Sequence, residues 1–170
     1  MTAEVTGDEM MSGKDCYVVD ILIDPPVMGI VDGGTGWAEK ATLDWVKMES
    51  SGEYMGLPYT SSVEGSYKGP TLWPLKVGKE VTRTETTTTT IEILGETETE
   101  TEKETYTERV ERIEDITVPA GTFRCFKIVE YDEHGSVSDE MWYSDEVKQS
   151  VKEISYKDGE TTELKSYSVR

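Results

Sequence analysis

Histidine, cysteine and phenylalanine are nearly absent from this 170-residue chain, which holds one His, two Cys and two Phe. The single histidine, His134, and two widely separated cysteines, Cys16 and Cys125, lack the number and spacing of a zinc site. Two cysteines cannot form a disulfide-rich framework either; they make one bridge or two buried thiols. Long apolar runs are missing, and no stretch approaches the ~18 residues that a membrane-spanning helix needs. The first residues, Met1-Thr2-Ala3-Glu4, are polar, with no basic region and apolar stretch of a signal peptide. Positive charge is scarce: 17 Lys and Arg face 35 Asp and Glu, for a net charge of −18. Nucleic acid is therefore not an expected partner, because its phosphates would meet a net-negative surface.

Val, Ile, Leu and Phe together make up only 20% of the chain. With this net charge, that value lies at the border of compositions unable to bury enough apolar surface to fold. Four Trp and nine Tyr restore core material, since each large aromatic buries ~150–250 Å². Thr and Glu are abundant, at 22 and 24 residues. The acidic excess serves solubility or offers a surface to cations or a basic partner.

Most segments have the alternating, β-branched character of strands. These are Cys16 to Ile23, Thr42 to Glu49, Thr122 to Tyr131, Val137 to Tyr143, Ser150 to Tyr156 and Thr161 to Val169. Ser51-Gly52, His134-Gly135 and Asp158-Gly159 supply hairpin-turn chemistry. Pro25-Pro26 and Asp32 to Gly36 (DGGTG) are expected to form a loop, and a short helix fits Trp37 to Ala41. No window keeps a helical period for three turns. Links of hairpin length join antiparallel strands only. The expected fold is all-β: a strongly curved, half-barrel-like antiparallel sheet with at most one or two short helices.

The sheet is written twice. Gly13, Cys16-Tyr17, Trp37, Val46-Lys47 and Gly52-Glu53 recur in order as Gly121, Cys125-Phe126, Trp142, Val151-Lys152 and Gly159-Glu160. One β-meander is thus used in two copies. Residues 1–66 form the first, apparently truncated copy. Residues 67–170 form the complete second, and its long Thr/Glu hairpin covers 80–118.

Within that hairpin Thr97, Thr99, Thr101, Thr105 and Thr107 share one parity, while Glu96, Glu98, Glu100, Glu102, Glu104 and Glu108 share the other. Such alternation gives a strand with a Thr face and a charged, solvated face. A two-residue turn at Leu94-Gly95 pairs Thr90 with Thr99, Thr88 with Thr101, Thr84 with Thr105 and Thr82 with Thr107. It also sets Glu85 against Glu104. A three-residue loop, shifting the register by one, is the rival. The functional alternative for this segment is a cation-binding or ice-like ordered surface.

No catalytic constellation stands out. His134 lies in a turn, Cys125 lies mid-strand where a thiol stays protonated, and abundant carboxylates single out no acid–base pair. The Asp32 loop lacks the ending of a phosphate cradle. No enzyme, cofactor or metal site is expected. The aromatics Trp37, Trp45, Tyr54, Tyr59, Trp73, Trp142 and Tyr143 are the candidate ligand-binding residues, and each also suits a core.

Pro74-Leu75-Lys76-Val77-Gly78-Lys79, Val118-Pro119-Ala120-Gly121-Thr122-Phe123, Trp142-Tyr143-Ser144 and Val151-Lys152 resemble a signature of uncharacterised exported β-rich domains of bacteria and archaea. These domains are distantly similar to the LolA/LppX-like lipoprotein-carrier fold. The resemblance covers about residues 70 to 170 and implies a curved antiparallel sheet with an apolar concave face, outside the cytoplasm. The leading expectation is a non-enzymatic extracytoplasmic domain that binds an apolar ligand or partner protein on an aromatic-lined sheet. Alternatives are an interaction module of a cell-surface assembly using exposed strand edges, including a homodimer through those edges, and an acidic cation-responsive surface.

Overall fold

The computed structural model describes residues 2–27, 31–54 and 56–168, without the side chains of 23–27, 31, 32 and 54. Among the described residues all regular structure is β. The strands are β1 (Thr2–Met11), β2 (Lys14–Val27), β3 (Val31–Glu39), β4 (Trp45–Tyr54), β5 (Leu57–Lys68), β6 (Glu80–Ile93), β7 (Glu96–Val118), β8 (Gly121–Tyr131), β9 (Val137–Ser144), β10 (Gln149–Ser155) and β11 (Glu160–Glu163). They form one antiparallel sheet in chain order. Consecutive pairing follows from the short links, which leave no length for a crossover. Among the described residues, no helix is long and apolar enough to cross a membrane.

The chain divides into two compact units. Unit 1 is Met1–Lys68 with Glu85–Glu104, and unit 2 is Gly69–Thr84 with Thr105–Arg170. In unit 1, buried Cys16, Trp37 and Val46 pack together, with Met11 and Val18 against them. In unit 2, Cys125, Trp142 and Val151 form the same trio, enlarged by Val118, Phe123 and Val147. Both cysteines are free thiols.

The repeat extends to details that the sequence alone conceals. Glu9 pairs with Cys16 across β1–β2, and Glu114 pairs with Cys125 across β7–β8. The bulge at Thr6, between Val5 and Gly7, has its counterpart at Glu111, between Val110 and Arg112. Trp37 pairs with Lys47, and the next pair is Ala38 with Trp45, so Val46 bulges; Trp142 pairs with Lys152 and Tyr143 with Ser150, so Val151 bulges. Even Lys47 opposite Glu64 is matched by Lys152 opposite Glu163.

Several expectations change. The DGGTG run is part of β3 and not a loop. A Cβ on Gly34 would lie 2.1 Å from the Glu49 carbonyl oxygen, so this glycine serves close backbone approach and not a turn. The assigned β2 continues through Pro25 and Pro26 to Val27. Trp37 to Glu39 are strand and residues 40–42 a turn, so no helix forms there, and β4 begins at Trp45 and not at Thr42. Gly52 lies mid-strand opposite Tyr59, and the hairpin closes instead between Tyr54 and Leu57, with Gly56 at φ 79°. Gly52 and Gly159 are therefore not equivalent, and Gly159 at φ 70° does sit in its turn. Gly13 and Gly121 differ as well, because Met11 pairs with Lys14 whereas the second hairpin continues to Val118 opposite Gly121. The final strand ends at Glu163, well short of Val169, which lies outside the described residues.

The Thr/Glu hairpin has the two-residue turn. Leu94 and Gly95 both have positive φ, 56° and 82°, the signature of a type I′ turn. Hydroxyls of Thr82 and Thr107, Thr84 and Thr105, Thr88 and Thr101, and Thr90 and Thr99 hydrogen-bond at 2.9–3.2 Å. Each such pair contributes ~0.2–1 kcal/mol. The same register places Glu85 level with Glu104. Glu85 is stabilised there by accepting from the Tyr67 hydroxyl at 2.8 Å and from Thr87 at 3.3 Å.

Candidate functional site

Two arrangements concentrate the chemistry, a tryptophan centre repeated in each unit and a groove in unit 1. In unit 1 the Trp37 indole donates to Glu9 Oε2 at 2.9 Å, and the Lys47 ammonium lies 6.0 Å from its ring. Lys47 also meets Glu49 at 2.6 Å, and hydrogen bonding to that carboxylate raises its pKa. In unit 2 the Trp142 indole donates to Glu114 Oε1 at 2.8 Å, with Lys152 6.0 Å from the ring.

Unit 2 adds charge where unit 1 has Val18. The equivalent residue, Lys127, is buried and lies 5.4 Å from the Trp142 ring. Glu140 accepts a short hydrogen bond from it, and Glu111 stands 3.5 Å away. Arg112 grips Glu114 through two 3.0 Å hydrogen bonds. The Trp142 indole N–H, followed by Arg112, holds the Glu114 carboxyl below its ordinary pKa. The result is an interlocked set of ions about one indole, which fixes ring orientation.

The groove measures about 940 Å³ and crosses β2 to β6 within unit 1. Leu22 gives it an apolar end, and Glu49 and Glu92 add charge; Ile21, next along β2, projects from the opposite face of the sheet. Between them lie Gly33, Gly34, Thr35, Ser50, Ser51, Thr60, Ser61, Ser62 and Thr90, so hydroxyls and glycines make most of its lining. Small side chains on consecutive strands leave the space that larger ones would fill.

Candidate nucleophiles are suppressed. Burial, then the Asp115 and Glu114 carboxylates, pushes the Cys125 thiol up to about 11. Burial raises Cys16 as well. His134 is exposed, 3.7 Å from Glu133; its turn is closed by Asp132, which accepts from the His134 and Ser136 amides at 2.8 Å.

A family model described as DUF3108-like matches residues 46–169. The chain belongs to the DUF3108-like family. This is a family of unknown function. No curated protein and no solved structure matches the chain.

In this DUF3108-like chain the seven expected aromatics are divided between the units. Trp37, Trp45, Tyr54 and Tyr59 belong to unit 1, and Trp73, Trp142 and Tyr143 to unit 2. Of those among the seven whose side chains are described, Trp37 alone lines the groove. Trp45 is 37% exposed and sits close over Gly36. Tyr59 is buried, and Tyr54 ends β4, with its side chain outside the described residues. Trp73 and Tyr143 meet edge to face at 4.7 Å. Sequence reasoning missed Glu9, Glu114 and Lys127. Cys16 and Cys125 held the signal, because each faces its glutamate directly across the hairpin.

Proposed function

We propose that this DUF3108-like chain is a non-catalytic, extracytoplasmic binding domain that receives a ligand along the groove of unit 1. The observation that carries this reading is the groove itself, about 940 Å³ of open space with an apolar end and a hydroxyl-rich body. A ligand matching that lining is amphipathic, with an acyl or aliphatic end at Leu22 and hydrogen-bonding groups along the serines and threonines. The resemblance to LolA/LppX-like carriers supports the same ligand class, by analogy of fold. Protonated, buried thiols support a non-catalytic role.

Native mass spectrometry and displacement of the dye 1-anilinonaphthalene-8-sulfonate by a long-chain acyl amphiphile test it. Dye fluorescence should rise on mixing and fall as the amphiphile is added. Leu22→Asp, at an exposed position, should weaken both effects without changing the melting temperature. No dye uptake and no amphiphile adduct would overturn the reading.

A further inference from the structure

A second cavity, of about 360 Å³, also lies wholly within unit 1. It continues the groove along one face of the sheet. On β5 the groove is lined by Thr60 and Ser62, and the cavity by Glu64 and Ser66. On β6 the groove takes Thr90 and Glu92, and the cavity takes Thr86 and Thr88. Both runs advance in steps of two, so each keeps to one face of its strand. The Ser66 hydroxyl donates to the Thr86 carbonyl at 3.5 Å, which sets the ends of the two runs side by side. The cross-strand rows agree. Thr35, Glu49 and Ser62 lie level on β3, β4 and β5, and Trp37, Lys47 and Glu64 lie level two residues away. From Thr60 to Ser66 the resulting trough is ~20 Å long.

Hydroxyls and charge decide what fits it. Thr88 shares a hydrogen bond with Thr101, and Thr90 with Thr99, each at 3.2 Å. One hydrogen lies between two oxygens in each pair, so one O–H per pair is left to donate outward while lone pairs accept. Ser51, Thr60 and Ser62 have hydroxyls without a hydrogen-bond partner among the described residues. Lys14, which lines the cavity, is taken by Glu39 at 2.6 Å, and Lys47 is taken by Glu49 at 2.6 Å. Glu64 and Glu92 add negative charge. A phosphate or carboxylate headgroup would meet these carboxylates, with no free cation among the described lining residues to receive it. An ammonium only donates, so the outward hydroxyl donors would find no acceptor on it.

We propose that groove and cavity form one site and that the headgroup it takes is an uncharged polyol, a short sugar chain. This rests on the groove being the ligand site and adds the chemistry of the ligand's polar part. Ligand hydroxyls donate to the Glu64 and Glu92 carboxylates and exchange hydrogen bonds with the serine and threonine hydroxyls. The aliphatic tail lies at Leu22, toward the Thr60 end of the trough and away from Ser66 and Thr86.

The full chain would be titrated with dodecyl maltoside, dodecyl phosphate and dodecyltrimethylammonium, which share one tail, each below its micelle-forming concentration. Sodium chloride at about 300 mM screens the overall charge of the chain. Dodecyl maltoside should bind at least tenfold more tightly than either charged amphiphile. Thr88→Val removes a hydroxyl of the second cavity and keeps the side-chain shape. It should weaken dodecyl maltoside at least fivefold and leave dodecanol binding unchanged. The melting temperature verifies the fold, and Ser66→Ala, at an exposed position, gives the same readout if Thr88→Val lowers it. Equal or tighter binding of the phosphate or the ammonium would overturn the polyol headgroup and leave the groove reading standing. Maltoside binding indifferent to both variants would overturn the part assigned to the second cavity. No binding by any of the three would overturn the groove reading itself, and this proposal with it.

Discussion

Glu114 does two things at once: it accepts the Trp142 indole proton and holds Arg112. Its carboxyl pKa is lowered in the folded state, so its contribution is present in full above the ordinary carboxylate pKa. That contribution is lost as pH falls through the depressed folded value. Glu114→Gln should therefore cost about 1 kcal/mol at neutral pH, a figure reduced for partial exposure. It should also flatten the acid limb of stability against pH. Urea midpoints measured from pH 3 to 7 check this, and an unchanged acid limb would contradict it. Cys125 gives a second measurement. With its pKa at about 11 and its sulfur buried, alkylation by iodoacetamide at pH 8 should run roughly a hundredfold slower in the native protein than in urea.

Individual elements show where one residue opposes its own strand pair. Leu94 occupies the first position of a type I′ turn at φ 56°, a conformation that costs a Cβ-bearing residue roughly 1–2 kcal/mol. It is also 70% exposed, so it recovers little through burial. Leu94→Asn should stabilise the hairpin by about 0.5–1 kcal/mol. Slower amide exchange at Thr90 and Thr99 would register the gain, and faster exchange would refute it. This hairpin was the most legible part of the sequence, because Thr and Glu alternate along most of its second strand and Leu94-Gly95 admits few registers. The all-β class was legible for a similar reason, through turn chemistry and period-two patterning. Trp37 with Glu9 was not, since the two lie 28 residues apart on β3 and β1 with β2 between them, and no local signal joins them. Ser51-Gly52 misled because glycine in a strand resembles glycine in a turn until the neighbouring strands are known. The groove escaped a search for aromatics, because what shapes it is the smallness of serine, threonine and glycine.

For the molecule as a whole, a net charge of −18 makes self-repulsion the dominant long-range electrostatic effect. Exposed ion pairs such as Lys40 with Asp8 and Asp15 offset little of it. Raising sodium chloride from about 20 to 300 mM shortens the screening length well below the molecular diameter. It should raise stability by about 1 kcal/mol, or ~3 °C in melting temperature, as calorimetry would show. A fall in melting temperature would mean that specific ion pairs outweigh the repulsion.

Unit 1 takes residues 1–68 and 85–104, and unit 2 takes the rest. The backbone thus passes from one to the other after Lys68, after Thr84 and after Glu104. Neither unit can be excised as an uninterrupted stretch of gene. A protease that nicks the turn at Leu94-Gly95 would leave two fragments, each owning parts of both units. Those fragments would travel together on a native column and come apart only in denaturant.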